Sequence, residues 1–183
     1  NTYSLFYPEK RPFFLDGASY FDTTNFNFVH TRNIADPDAG LKLTGKNDGH
    51  SYGVMLANDN NTSFLMPGNQ GSDVATLDES SNVAIGRYKM DVGERNNVGV
   101  LMTHRQNDDY HNTLVSLDGT YWFSKTDNIE YQVAQSDSKN PQIIIDDYEV
   151  SEEQRDTAFS VNYEHSTRDY NLKAGYTNIG EDF

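Results

Sequence analysis

A chain of 183 residues with 36% apolar content and a mean hydropathy of −0.76 has no run near the roughly 20 apolar residues a spanning helix needs, which excludes a helical membrane protein. A net charge of −14 repels phosphate backbones and excludes nucleic acid as the expected partner. With no cysteine there are no disulfides, zinc–thiolate sites or thiol nucleophile, which fits an exported bacterial protein.

The chain opens at Asn1 with no signal peptide, so the expectation is a removed signal or a piece of a longer chain. Residues 1–39 form a leading segment unlike the rest. Pro8 and Pro12 interrupt any strand ladder, and Glu9, Lys10 and Arg11 make a charge knot between Phe6-Tyr7 and Phe13-Phe14. Two readings stand: a segment folded into a barrel lumen with its charges paired to lumen residues, or a surface loop with solvated charges.

From residue 40 onward the chain reads as strands. Ile129, Tyr131 and Val133 alternate with Glu130, Gln132 and Ala134; Phe159, Val161 and Tyr163 alternate with Ser160, Asn162 and Glu164. Tyr170, Leu172, Ala174 and Tyr176 do the same against Asn171, Lys173 and Gly175. Side chains on a strand point alternately to opposite faces, so each of these segments has one apolar and one polar face. Less regular strands are expected at 41–45, 52–57, 83–92, 98–104 and 115–123. The aromatic content of 13%, with 12 Tyr and 10 Phe, suits strands and also the aromatic girdles of membrane barrels.

The connections alternate in length. Lys46-Asn47-Asp48-Gly49 is a tight hairpin turn, and 93–96, 125–127 and 166–168 are short. Residues 58–81 and 137–154 form long loops, with 106–111 intermediate. Outer-membrane barrels have this asymmetry of short periplasmic turns and longer outer loops. The expected fold is therefore all-β: antiparallel up-and-down hairpins of about eight strands over 40–183, part of a transmembrane outer-membrane β-barrel. The alternative is a soluble antiparallel β-sandwich, which also alternates.

Several constellations carry chemistry. His104, Asp108 and His111, with Asp109, gather around one connection, and a His beside a carboxylate can act as general base or metal ligand. No Gly-x-Ser-x-Gly elbow accompanies them, and a polar loop with shared hydrogen bonds is the plain alternative. Acidic groups at Asp36/Asp38, Asp73/Asp78/Glu79 and Asp146/Asp147/Glu149 offer the oxygen ligands that Ca²⁺ prefers, without EF-hand spacing; otherwise no cofactor is expected. Gln142-Ile143-Ile144-Ile145, an apolar run in a polar loop, reads as an extra strand, an interface patch or, as such runs most commonly mean, a strand extension beyond the membrane. Asn60, Asn61, Asn69 and Gln70 are amides suited to sugar hydroxyls. Lys42, Glu130, Gln132, Asn162, Glu164, Asn171 and Lys173 are candidates for the lumen face, where mixed charges line a channel or pair across it.

Phe6-Tyr7-Pro8-Glu9-Lys10-Arg11-Pro12-Phe13-Phe14-Leu15 resembles the opening of the barrel region in a bacterial family of unknown function. Thr31 to Asp38, Gly40 to Lys46, Pro67 to Ser72, Asp109 to Asn112 and Leu117-Asp118-Gly119 are similar to the same family, so the likeness runs from residue 6 to about residue 180. Its members carry an N-terminal carbohydrate-binding (family nine-like) domain before a large outer-membrane β-barrel. That domain is absent from this sequence, and the family continues beyond Ile179 to Phe183, so the resemblance implies part of a larger barrel. It implies a bacterial outer-membrane location and barrel architecture but no mechanism, and it carries over no catalytic residue. The leading functional reading is a non-enzymatic barrel segment, in contact with outer-membrane lipid and envelope proteins, that passes or binds a small solute such as a carbohydrate. A membrane-associated hydrolase using His104 and His111, and a soluble carbohydrate-binding β-sheet module, are the competing functions.

Overall fold

The computed structural model describes residues 8–66, 73–77, 79–148, 151–181 and 183. The chain is all-β, and its main body is one antiparallel eight-stranded sheet. Its strands are β1 (Pro37–Asn47), β2 (His50–Asp59), β5 (Ser81–Val92), β6 (Asn96–Gln106), β7 (His111–Trp122), β8 (Asp127–Lys139), β9 (Glu153–Ser166) and β10 (Asn171–Ile179). A separate hairpin, β3 (Thr62–Met66) with β4 (Asp73–Leu77), stands between β2 and β5. Each strand of the main sheet pairs with the next in chain order, up and down, and β1 and β10 are its two edges, so the sheet is not closed.

The first turn shows how residue type selects register. Asp48 and Gly49 both have positive φ, 47° and 80°, the mirror-image turn whose twist matches the flanking strands. It fixes Asn47 opposite His50 and thereby every later pair of β1 and β2, from Leu43 against Val54 to Leu41 against Leu56. The turns at 48–49, 93–95, 123–126 and 167–170 lie at one end of the sheet. The opposite end carries the β3–β4 hairpin, the 107–110 turn and the 140–152 connection.

Two expectations are corrected here. The long loop expected over 58–81 contains the β3–β4 hairpin. The apolar run at 142–145 is not a strand extension but the start of a short helix, α2 (Gln142–Tyr148). Pro141 precedes it with φ already suited to a first helical turn, and its carbonyl accepts the Ile145 N–H at 3.2 Å.

The leading segment crosses one face of the sheet. It holds α1 (Pro12–Leu15), with Pro at the first helical position, and 3₁₀ turns at Ala18–Phe21 and Thr31–Asn33. Phe14, Phe21 and Ile34 are buried against Met55, Ala57, Val83, Ile85 and Leu101. Burying one such Phe contributes roughly 1.5–3 kcal/mol. Phe21 approaches so closely that a Cβ on Gly53 would meet its ring at 3.0 Å. This small core covers only the first strands. Over β7, β8 and β9 the same face turns polar, yet Ser116, Asp118, Asn128, Gln132, Ser136 and Ser160 are all buried.

Candidate functional site

The buried polar groups on the covered face anchor the leading segment by a set of matched hydrogen bonds, as burial of such groups requires. Arg87 and Asp118 form a bidentate ion pair, 2.6 Å and 2.9 Å, with each side chain 1% exposed. The guanidinium crosses above Gly99, where an added Cβ would lie 2.6 Å from two of its nitrogens. Asp118 Oδ2 also accepts from the Thr24 N–H at 3.1 Å and hydroxyl at 2.7 Å. Gln132 Oε1 accepts from the N–H groups of Asn25 and Phe26, at 2.8 Å and 2.6 Å, while its amide donates to Ser116 Oγ at 3.1 Å. Asn162 donates to Asn25 Oδ1 at 2.8 Å. Toward the other end of the face, Asp59 accepts from Ala35 N and Asp36 N at 3.1 Å and 2.8 Å. It pairs with Arg105 at 3.2 Å, which donates to Asn33 O at 2.7 Å.

The charge knot folds on itself rather than onto the strands. Glu9 accepts from the Arg11 guanidinium at 3.0 Å and 2.8 Å and from the Thr31 hydroxyl at 2.8 Å, with Arg32 at 3.6 Å. Partial burial pushes its carboxyl up, but hydrogen bonds from Arg11, Thr31 and the Lys10 N–H outweigh this and hold it down at about 2. Arg11 donates to the carbonyls of Ile34 and Thr31, at 2.6 Å and 2.8 Å, and lies 4.2 Å from the centre of the Phe14 ring. Lys10 is exposed. The expectation that these charges pair with strand residues is thus corrected. Two opposite charges two residues apart satisfy each other at no loop-closure cost, so they neutralise locally before reaching the sheet. Lys42 is the strand residue that holds this region, donating to the carbonyls of Phe13 and Asp16.

The register puts Lys42, Glu130, Gln132, Asn162, Glu164, Asn171 and Lys173 on the covered side of the sheet. Lys173 pairs with Glu164 at 3.2 Å, which also accepts from Asn171 at 2.6 Å; Glu130 is half-buried. Arg87, Asp118, Arg105 and Asp59 were not among the residues expected to form a site. Their signal was a charge standing in phase with apolar residues, as Arg87 does after Val83 and Ile85.

The opposite face inverts the usual arrangement. Tyr52, Tyr88, Val100, Leu117, Val133 and Phe159 are direct register partners across six consecutive strands of the sheet, and each is 39% to 46% exposed. Leu43, Val54, Met102 and Val115 extend the row on one side of it; Tyr131, Val161 and Tyr176 extend it on the other. An aromatic belt of Tyr121, Phe123, Tyr163 and Tyr170 borders this band at the short-turn end, with Phe123 and Tyr163 stacked at 6.2 Å. Asp127 anchors the belt, accepting from Tyr163 Oη and bonding His165 Nδ1, both at 2.7 Å. At the other end the face becomes polar through Asn58, Asn82, Gln106, His111, Asp137 and Arg155.

His104 and His111 lie on this outer face in separate pairs. His104 bonds Thr113 Oγ1 at 2.8 Å and Gln106 Oε1 at 2.9 Å, so both ring nitrogens are engaged; His111 faces Asp137 at 3.4 Å. Asp108 sits in the 107–110 turn, which Asn107 organises by accepting from the N–H groups of Asp109 and Tyr110. The three do not converge on one reacting point. Asp146 accepts from Gln142 at 2.8 Å on exposed α2, while Glu149 and the Asp147 side chain lie outside the described residues. Among the described residues no three acidic, His or Cys side chains are placed to hold a metal ion. Asn61 is buried; Phe6, Tyr7, Asp78 and 67–72, with Asn69 and Gln70, lie outside the described residues. No family model, characterised protein or solved structure matches this chain.

Proposed function

We propose that this chain is part of a bacterial outer-membrane β-barrel that binds or passes a small solute, with its leading segment lodged against the barrel's inner wall and no catalytic role. The single observation that carries the membrane reading is the exposed apolar row from Tyr52 to Phe159 opposite a buried polar face. Large contiguous apolar surfaces mark contact with lipid or a partner, and a soluble sandwich would bury this face and wet the other. The aromatic belt on one border and the polar rim on the other have the layout of a bilayer-crossing band. The resemblance of the leading segment to the opening of an outer-membrane barrel region supports the same reading. Solute handling rests on the mixed-charge inner wall, where Glu130, Glu164 and Lys173 lie beyond the bonds of the leading segment.

The test is to place single cysteines at Leu117 and Val133 on the outer face and at Glu130 on the inner face, label them with nitroxides and reconstitute the full-length protein in phospholipid vesicles. Relaxation by oxygen, which concentrates in lipid, is expected at Leu117 and Val133; relaxation by a water-soluble nickel chelate is expected at Glu130. A protein that is monomeric and stable without detergent, with Leu117 and Val133 open to the chelate, overturns the proposal.

A further inference from the structure

The outer face carries a trough along β5. Its outward residues are Asn82, Ala84, Gly86 and Tyr88, small in the middle and tall only at the last. Register partners wall it on both sides: Leu56 and His104 flank Ala84, and Val54 and Met102 flank Gly86. Tyr52 and Val100 flank Tyr88, which closes one end. A Cβ added to Gly86 would meet nothing within 4 Å. The trough opens into a hollow of about 590 Å³ bounded by Leu41, Leu56, Ala84, Asn58, Asn82 and His104.

Its polarity is graded along the strand. The walls are apolar from Tyr88 to Gly86, Leu56 and His104 flank Ala84, and amides occupy the far end. Asn58 donates to Asn82 Oδ1 at 3.2 Å, and His104 Nε2 engages Gln106 Oε1 at 2.9 Å. Both bonds use the amide oxygens, which leaves the NH₂ groups of Asn82 and Gln106 as donors at the mouth. At about 3.3 Å per residue the trough is about 20 Å long, and two inter-strand spacings make it about 10 Å between walls.

We infer that this trough holds one acyl chain of a bilayer phospholipid, with the ester or phosphate oxygens accepting from Asn82 and Gln106. The inference rests on the membrane reading above and deepens it: the trough is continuous with the apolar band, and its wet end falls where the band gives way to the polar rim. An amphipathic groove open along its side selects a ligand that is itself apolar along its length and polar at one end. A protein side chain would leave most of it empty.

Gly86→Leu and Ala84→Leu fill the trough from its floor, and at Gly86 the added Cβ meets nothing within 4 Å. The full-length protein and both variants are reconstituted in nanodiscs of phosphatidylethanolamine and phosphatidylglycerol, then released and weighed by native mass spectrometry. Wild type is expected to keep one phospholipid that both variants lose. The added side chain takes the space that the acyl methylenes would fill and removes their packing contacts, so retention is lost. Asn82→Ala with Gln106→Ala is expected to lower retention while leaving the trough open. Equal retention in wild type and Gly86→Leu, with all proteins inserted, overturns the inference and leaves the membrane reading intact. A dimer that Gly86→Leu dissolves, with no lipid retained, also overturns it. Failure of every protein to enter the nanodisc overturns the reading on which it rests.

Discussion

Arg87 on β5 and Asp118 on β7 are separated by one strand, β6, and they meet across Gly99, which has no side chain beneath the guanidinium. The pair is buried, and Thr24 of the leading segment docks on its carboxylate. Asp118→Ala leaves a buried guanidinium without its counter-charge, which costs about 3–5 kcal/mol. Replacing both residues by apolar side chains of similar size recovers most of this loss. Denaturant titration of the single and double variants in detergent micelles measures the difference. Equal destabilisation in both would show that the pair itself is not the source.

Gln132 supplies a second anchor, independent of the first. Gln132→Ala strands the N–H groups of Asn25 and Phe26 against the sheet, at about 1–3 kcal/mol for each buried donor left unpaired. Hydrogen exchange at Asn25 and Phe26 is expected to accelerate while exchange in β8 and β9 is unchanged. If β8 and β9 exchange faster as well, Gln132 supports the sheet rather than the segment.

Acid is expected to loosen the beginning of the leading segment. Glu9 has its carboxyl at about 2, below its ordinary value of 4.5, so the folded form favours the ionised state. Its contribution is complete above about 4.5 and is lost as pH falls toward 2. Limited proteolysis of residues 8–36 by pepsin across this window is expected to rise as pH falls. In Glu9→Gln the same cleavage is expected at every pH of the series. A Glu9→Gln profile identical to wild type would assign the acid sensitivity to other carboxylates.

The alternation of Ile129, Tyr131 and Val133 with Glu130 and Gln132 was sufficient to separate the two faces of β8, because the period of a strand is set by its covalent geometry. The Asp48-Gly49 turn was legible for a similar reason, since few residues tolerate its positive φ values. The Arg87–Asp118 pair was not legible. It depends on which strands lie side by side, and no local pattern encodes a partner 31 residues away. The helix at 142–148 escaped because a short apolar run suits a strand or a helix equally, and only Pro141 before it tips the choice. His104 and His111 are close in sequence, but the 107–110 turn gives each its own hydrogen-bond partner.

The charge test on the outer face separates the membrane reading from a soluble sheet most directly. Leu117 sits between Val100 and Val133 in the middle of the apolar row, whereas Thr157 is on the same face where Gln135 lies opposite. In a bilayer, Leu117→Arg places a cation near the hydrocarbon midplane at about 2–4 kcal/mol, and Thr157→Arg near the interface costs about 0–1 kcal/mol. In water both positions are exposed, and substitutions there change stability by about 0.5 kcal/mol or less. Unfolding of both variants in phosphatidylcholine vesicles, with urea as denaturant, reads the two costs. A steep difference between Leu117 and Thr157 requires a depth-dependent solvent, which only the bilayer supplies. Equal, small effects at both sites would return the apolar face to water or to a protein partner.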